Sequence, residues 1–175
     1  MSKTVVRFGI VIISLILVVL LVVTLMMDRR QTTGTPHRSY PVYPDPKMTP
    51  GDVLEVTEAD VCRSGYTKEV RSVPRYIKKA VFMEYNLPYP PLPGAFEVDH
   101  FIPLELGGSN DIKNLWPEPA EPTPGFHEKD KLENHLHRQV CNGEITLKEA
   151  QELIRKDWLA VYQKYGLEHH KNTPQ

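Results

Sequence analysis

Between Phe96 and Pro119 two short apolar segments flank the run Gly107-Gly108-Ser109-Asn110-Asp111, so the chain must reverse there. Gly supplies positive φ, and Asn, Asp and Ser hydrogen-bond their own backbone, which makes this cluster a turn with a mechanism. Asp99 and His100 stand just ahead of the loop, and Asn114 follows it. From that position the Asn114 amide can pin the returning strand against the loop that carries His100, a structural role placed beside a catalytic one.

Those residue types together suit the cutting of a phosphodiester. The reaction needs a base to deprotonate water and a cation to stabilise charge on the phosphate and leaving oxygens. Neutral imidazole serves the first need near pH 7, and a carboxylate binds a hard divalent ion. His100 is therefore expected as the base and Asp99 as a metal ligand. Neighbouring side chains in a regular strand point to opposite faces, so both can serve one site only at a strand end, a bulge or a bend.

With these residues in view, the chain resembles the HNH endonucleases. The resemblance rests on Asp99-His100, on Ile102-Pro103-Leu104-Glu105-Leu106-Gly107-Gly108, and on Asn114-Leu115-Trp116-Pro117-Glu118-Pro119. It is strongest with small exported bacterial members that share a Cys-x-x-Gly-Tyr/Trp-Thr segment, here Cys62 to Thr67, and a following Lys129-Asp130-x-x-Glu133 with Val140-Cys141. The family implies an α+β fold of the ββα-metal type, in which a hairpin and a helix hold one divalent cation. It also implies endonuclease activity on DNA, with RNA as a further substrate, and products with 5′-phosphate and 3′-hydroxyl ends; nothing in the chain resembles base readout, so little sequence specificity is expected. Mg²⁺ is the expected ion, with Mn²⁺, Zn²⁺ and Ni²⁺ as rivals, and no small-molecule cofactor is expected. His100 and Asn114 fall at the catalytic positions. A helix side chain completes the family's metal site: His127 is at about the right place, with Asp130 and Asn134 as competitors one and two turns on.

The N-terminus carries a second constraint. Residues 8–27 form an uncharged run rich in Val, Leu and Ile, long enough to cross a bilayer as one helix. Its apolar core exceeds a usual signal peptide, and no small-x-small cleavage site follows, so an uncleaved signal anchor is expected after a cytoplasmic segment 1–7. Lys3 and Arg7 on one side face Arg29, Arg30 and Arg38 on the other, which leaves orientation by charge undecided. A nuclease inside the cell would endanger its own genome, and Cys62 and Cys141 can pair as a disulfide in an oxidising compartment, so the C-terminal domain is placed outside. Two buried thiols are the other reading of the cysteines. Residues 28–54, with Tyr40-Pro41-Val42-Tyr43-Pro44-Asp45-Pro46, read as a Pro-rich linker, residues 55–168 as the domain, and 169–175 as a polar tail.

Helical periodicity fills in the domain. Pro74 opens a helix to about Asn86 with Ile77, Val81 and Tyr85 inward. A helix over 126–141 shows Leu132, Leu136 and Val140 on one face, and Asn142-Gly143 stops it. Thr146 and Glu149 make a capping box for a last helix through Tyr165. The net charge is only −1, so no global field argues for nucleic acid. Arg63, Lys68, Arg71, Arg75, Lys78 and Lys79, however, lie in a segment whose only acid is Glu69, and Lys129 is a further candidate phosphate contact. A solvated helix face is the other reading of that segment. Two alternatives remain: a tethered nucleic-acid-binding or envelope adaptor without catalysis, and a structural zinc module, for which two distant cysteines lack the paired spacing.

Overall fold

The computed structural model describes residues 16–20, 22 and 40–167. The chain divides into two units, residues 1–38 and residues 39–175. In the first, residues 16–20 and 22 are helical. The rest of the expected membrane segment 8–27, residues 1–7, residues 28–39 of the linker and residues 168–175, which include the tail, lie outside the described residues. Among the described residues no helix is long and apolar enough to cross a membrane.

The second unit is α+β. Two short helices, α1 (Glu58–Val61) and α2 (Tyr66–Val70), precede α3 (Arg75–Glu84), whose N-cap is Pro74 and which stops ahead of Asn86 in the left-handed region. Strands β1 (Phe96–His100) and β2 (Leu115–Pro119) pair antiparallel with Asp99 opposite Trp116 and His100 opposite Leu115. Two 3₁₀ turns, Leu104–Leu106 and Ile112–Asn114, fill the connection. Helices α4 (Phe126–Cys141) and α5 (Leu147–Lys164) follow and pack on one another.

The apolar stripes account for the packing. Leu132, Leu136 and Val140 of α4 meet Leu147, Ala150, Ile154 and Trp158 of α5 in one core with Ile102, Leu106 and Trp116 of the hairpin. Each large side chain buried there favours the fold by roughly 1.5–3 kcal/mol before entropy is counted. The Thr146–Glu149 capping box forms as expected, but α5 is not one continuous helix. Asp157 leaves helical geometry, and its Oδ1 accepts from the Ala160 N–H at 2.9 Å, so it caps a second half-helix from within.

The boundary expected at residue 55 moves toward the N-terminus. Residues 40–54 run along the domain rather than away from it. The Leu54 N–H donates to the Gly107 carbonyl at 2.8 Å, Thr49 Oγ1 donates to the Leu115 carbonyl at 3.1 Å, and Trp158 Nε1 donates to the Val42 carbonyl at 3.2 Å. Prolines and small polar residues look like a linker by composition, yet they also suit a strap whose backbone groups are satisfied by a neighbouring surface. Cys62, at the end of α1, and Cys141, the last residue of α4, form a disulfide with a Cα–Cα distance of 5.6 Å.

Candidate active site

Asn114 organises the loop ahead of the site. Its side chain is fully buried, and its amide is spent on backbone: Oδ1 accepts from the Ile102 N–H at 2.8 Å, while Nδ2 donates to the carbonyls of Ile102 and Ser109, both at 2.9 Å. The loop must pass close for this to happen. A Cβ on Gly108 would sit 1.7 Å from the Ile102 carbonyl oxygen, so only glycine fits there. Asn114, grouped with His100 as catalytic, is instead a positioning residue with no donor left for a substrate.

His100 is the last residue of β1, the strand-end position that lets it and Asp99 serve one site. Its ring is almost wholly buried, with Nε2 3.2 Å from Asn110 Oδ1. That oxygen also accepts from the Ser72 N–H at 3.1 Å, and Asn110 Nδ2 donates to the Val70 carbonyl at 2.8 Å. The amide therefore cannot flip, Oδ1 faces the imidazole as an acceptor, and Nε2 must carry the proton. The lone pair is left on Nδ1. Burial pushes the His100 pKa down, helped by the cations Arg71 and Lys129 and opposed by Asp99 and the Asn110 bond, so the ring is neutral near pH 7.

Lys129 is not at a substrate phosphate. It is fully buried, and its Nζ donates to Asp99 Oδ2 at 2.8 Å, to the His100 carbonyl at 2.9 Å and to Glu133 Oε1, with Glu118 Oε2 at 3.3 Å. Burial pulls the Lys129 pKa down, but three carboxyl groups outweigh it and hold the pKa well above the ordinary lysine value. One cation cannot neutralise three anions. Burial raises both Glu118 and Glu133, and the charge on Asp99 pushes each further in the same direction. Burial opposes the charge on Asp99 as well, but Lys129, bonded to it at 2.8 Å, outweighs burial and keeps Asp99 an anion.

The proposed helix ligands lie on the flank of α4. Its buried face is Phe126, Lys129, Leu132, Glu133, Leu136 and Val140, whereas His127, Asp130 and Asn134 are exposed. Asp130 still feels the site: burial and then the charge on Asp99 raise its pKa, while Lys129, His127 and Arg71 lower it. Asp99, His127 and Asp130 do not converge into a ready ligand set. Among the described residues the group whose ligand atoms lie within 4.8 Å of one another is Cys62, His137 and Cys141, and the disulfide there denies it thiolates. Of the basic residues, Arg71 acts electrostatically on His100 and Asp130; Arg75, Lys78 and Lys79 are exposed along α3.

Metals differ in the ligands they require. Zn²⁺ takes three or four convergent N and S ligands, which this edge lacks. Mg²⁺ keeps several waters and is bound through one or two carboxylates plus substrate oxygens; Asp99 and Asp130 are the carboxylates at this edge. Asp99 is 23% exposed, and a carboxylate bonded once by lysine keeps further lone pairs for such an ion.

Four residues of the site carry no role in the sequence reading: Asn110, Glu118, Glu133 and Glu105. Glu133 and Lys129 are i,i+4 on α4, and Lys129 lies three residues before Leu132, so extending the apolar stripe by one turn would have placed the lysine inside. Glu105 Oε1 is buried without a hydrogen-bond partner, and burial raises the group, with Asp130 adding to the shift. Comparison with family models, curated proteins and solved structures finds no match for the chain.

Proposed function

We propose that the protein is a metal-dependent endonuclease that hydrolyses phosphodiesters of DNA, and of RNA as a second substrate, with His100 as general base. The observation that supports this most is the state of His100: neutral, fixed in the Nε2–H tautomer by Asn110, and adjacent to an ionised Asp99. A β-hairpin followed by α4 carries these groups, in keeping with the ββα arrangement of the HNH family.

In this reading His100 Nδ1 takes a proton from the attacking water. Asn110 holds the ring so that the base needs no reorientation, and Arg71 offers a charge-assisted contact for the phosphate. Asp99 and Asp130 would hold a divalent ion, Mg²⁺ by the donor argument with Mn²⁺ next, and His127 would reach it through water. Bound there, such an ion supplies Lewis-acid stabilisation of charge on the phosphate and leaving oxygens. The disulfide supports an oxidising location, consistent with a domain tethered outside the cell by the N-terminal apolar segment.

One observation favours a second reading. Lys129 already neutralises Asp99, as expected if the site had become a metal-free scaffold that binds nucleic acid without cutting it. The test is plasmid nicking by the purified full chain with and without EDTA across Mg²⁺, Mn²⁺, Zn²⁺ and Ni²⁺. Nicking that needs Mg²⁺ or Mn²⁺ and stops with EDTA is the expected result; folded protein that binds DNA but never nicks it would move the assignment to the scaffold.

A further inference from the structure

Tyr76 lies on the exposed face of α3 with 72% of its surface open to solvent, flanked on the same helix by Arg75 and Lys79. These three residues, with Tyr89 and Pro90 from the turn beyond the helix, line a cleft of about 550 Å³, within the range of small-ligand pockets. Tyr89 leans on Phe82 of the core, with ring centroids 5.5 Å apart, so one wall is fixed while Tyr76 stands free. No acid lines the cleft, and neither Arg75 nor Lys79 has an ion-pair partner among the described residues.

Two aromatic faces and two unpaired cations suit a flat, uncharged ring attached to an anion. A nucleobase with its phosphate has that chemistry: base–aromatic stacking is indifferent to sequence, and Arg and Lys neutralise the backbone. A base within a duplex is already stacked on its neighbours and cannot enter such a cleft without being unpaired. An acidic partner without rings would leave the tyrosines unused.

We propose that this cleft is a stacking subsite for an unpaired base of single-stranded nucleic acid. Its position relative to His100 rests on the nuclease reading; the stacking itself does not. Residues Val70 and Ser72 are tied to Asn110, the residue that holds His100, and Arg75 lies three residues beyond Ser72, a chain reach of roughly 11 Å at most. Arg71, whose charge acts on His100, lies four residues before Arg75 of the cleft in the same segment.

The test is fluorescence anisotropy with the full chain and four labelled probes of equal length: an oligothymidylate, an abasic oligomer, the matching duplex and an oligouridylate. The oligothymidylate should bind more tightly than the abasic oligomer. Tyr76→Ala should weaken it about five- to a hundredfold while leaving the duplex unchanged, and Tyr76→Phe should bind as wild type. Tyr76 is the clean variant because it is exposed, whereas Tyr89→Ala also unpacks Phe82. Tighter or equal binding of the oligouridylate supports the subsite and shows that the sugar is not read. Equal affinity for abasic and base-bearing strands, or a Tyr76→Ala variant that binds as wild type, would overturn it. Loss of plasmid nicking under every metal with the thymidylate preference intact would remove the nuclease reading and leave the subsite; nicking with no thymidylate preference would do the reverse.

Discussion

The two walls of the site are built on opposite plans. On the hairpin side two side-chain amides are spent on holding the backbone and the ring: Asn114 locks the loop, and Asn110 locks the His100 ring. On the helix side α4 sends its cation inward and leaves His127 and Asp130 at the solvent edge. The hairpin wall holds one imidazole in one tautomer, and the helix wall divides into a buried electrostatic brace and an open flank. That division assigns separate consequences to residues only one to three positions apart.

The largest effect belongs to the hairpin wall. His100→Ala should reduce phosphodiester cleavage by about 10²–10⁴-fold, the usual contribution of a positioned base, with the circular dichroism spectrum retained. Undiminished turnover in that variant would sink the role of His100 and with it the contrast between the walls. The brace comes next, and its effect is on stability. Lys129→Met leaves the Asp99 carboxylate buried beside Glu118 and Glu133 with no cation, a change that costs about 3–5 kcal/mol when one partner of a buried pair is removed. Lys131→Met, in an exposed pair with Glu128, should cost no more than about 1 kcal/mol. Urea unfolding of both variants checks the comparison, and equal midpoints would show that the cage braces nothing.

The hairpin wall was legible in the sequence because its signals are local. Glycines, Asx residues and an Asn at fixed offsets dictate a turn, and the required strand-end position of His100 follows from side-chain alternation. The helix wall was less legible because which residue faces inward depends on helical phase. Lys129 shares the phase of Leu132 and Leu136, but lysine is seldom fully buried, and only the three acids from β1, β2 and α4 make it tolerable there. Those acids are 30, 11 and 4 residues away from it in sequence, so no local window contains the cage. The strap over residues 40–54 was read as linker for a related reason: its hydrogen-bond partners, such as Gly107 and Leu115, are distant in the chain.

The open flank should matter less than the base. Asp130→Asn should raise the Mg²⁺ concentration needed for half-maximal cleavage by about ten- to a hundredfold, and His127→Ala should fall at the lower end of that range if, as proposed, it reaches the ion only through water. The maximal rate at saturating metal should be retained in His127→Ala. Measuring rate against Mg²⁺ for the two variants tests the flank, and identical metal requirements in wild type and Asp130→Asn would exclude α4 from the cation site.

The smallest effect is a shift along the pH axis, and it separates the walls most finely. Burial holds His100 below the ordinary imidazole value of 6.5, so the base form persists and cleavage should stay level as pH falls to 6.5, then decline below it. Stability moves in the same sense. A group whose folded pKa is depressed contributes stability that is present above the unfolded value and is lost as pH falls toward the folded one, so unfolding midpoints should begin to drop in the same window. The contributions differ in sign between neighbours. Arg71 lowers the His100 pKa, so Arg71→Gln should move the acid limb of the rate profile toward higher pH. The Asn110 bond raises it, so Asn110→Ala should move the limb lower while also reducing the plateau, because the ring is no longer held in one tautomer. Displacement of both limbs in the same direction would mean that the profile reports a group other than His100, and the proton transfer would have to be reassigned to the helix wall.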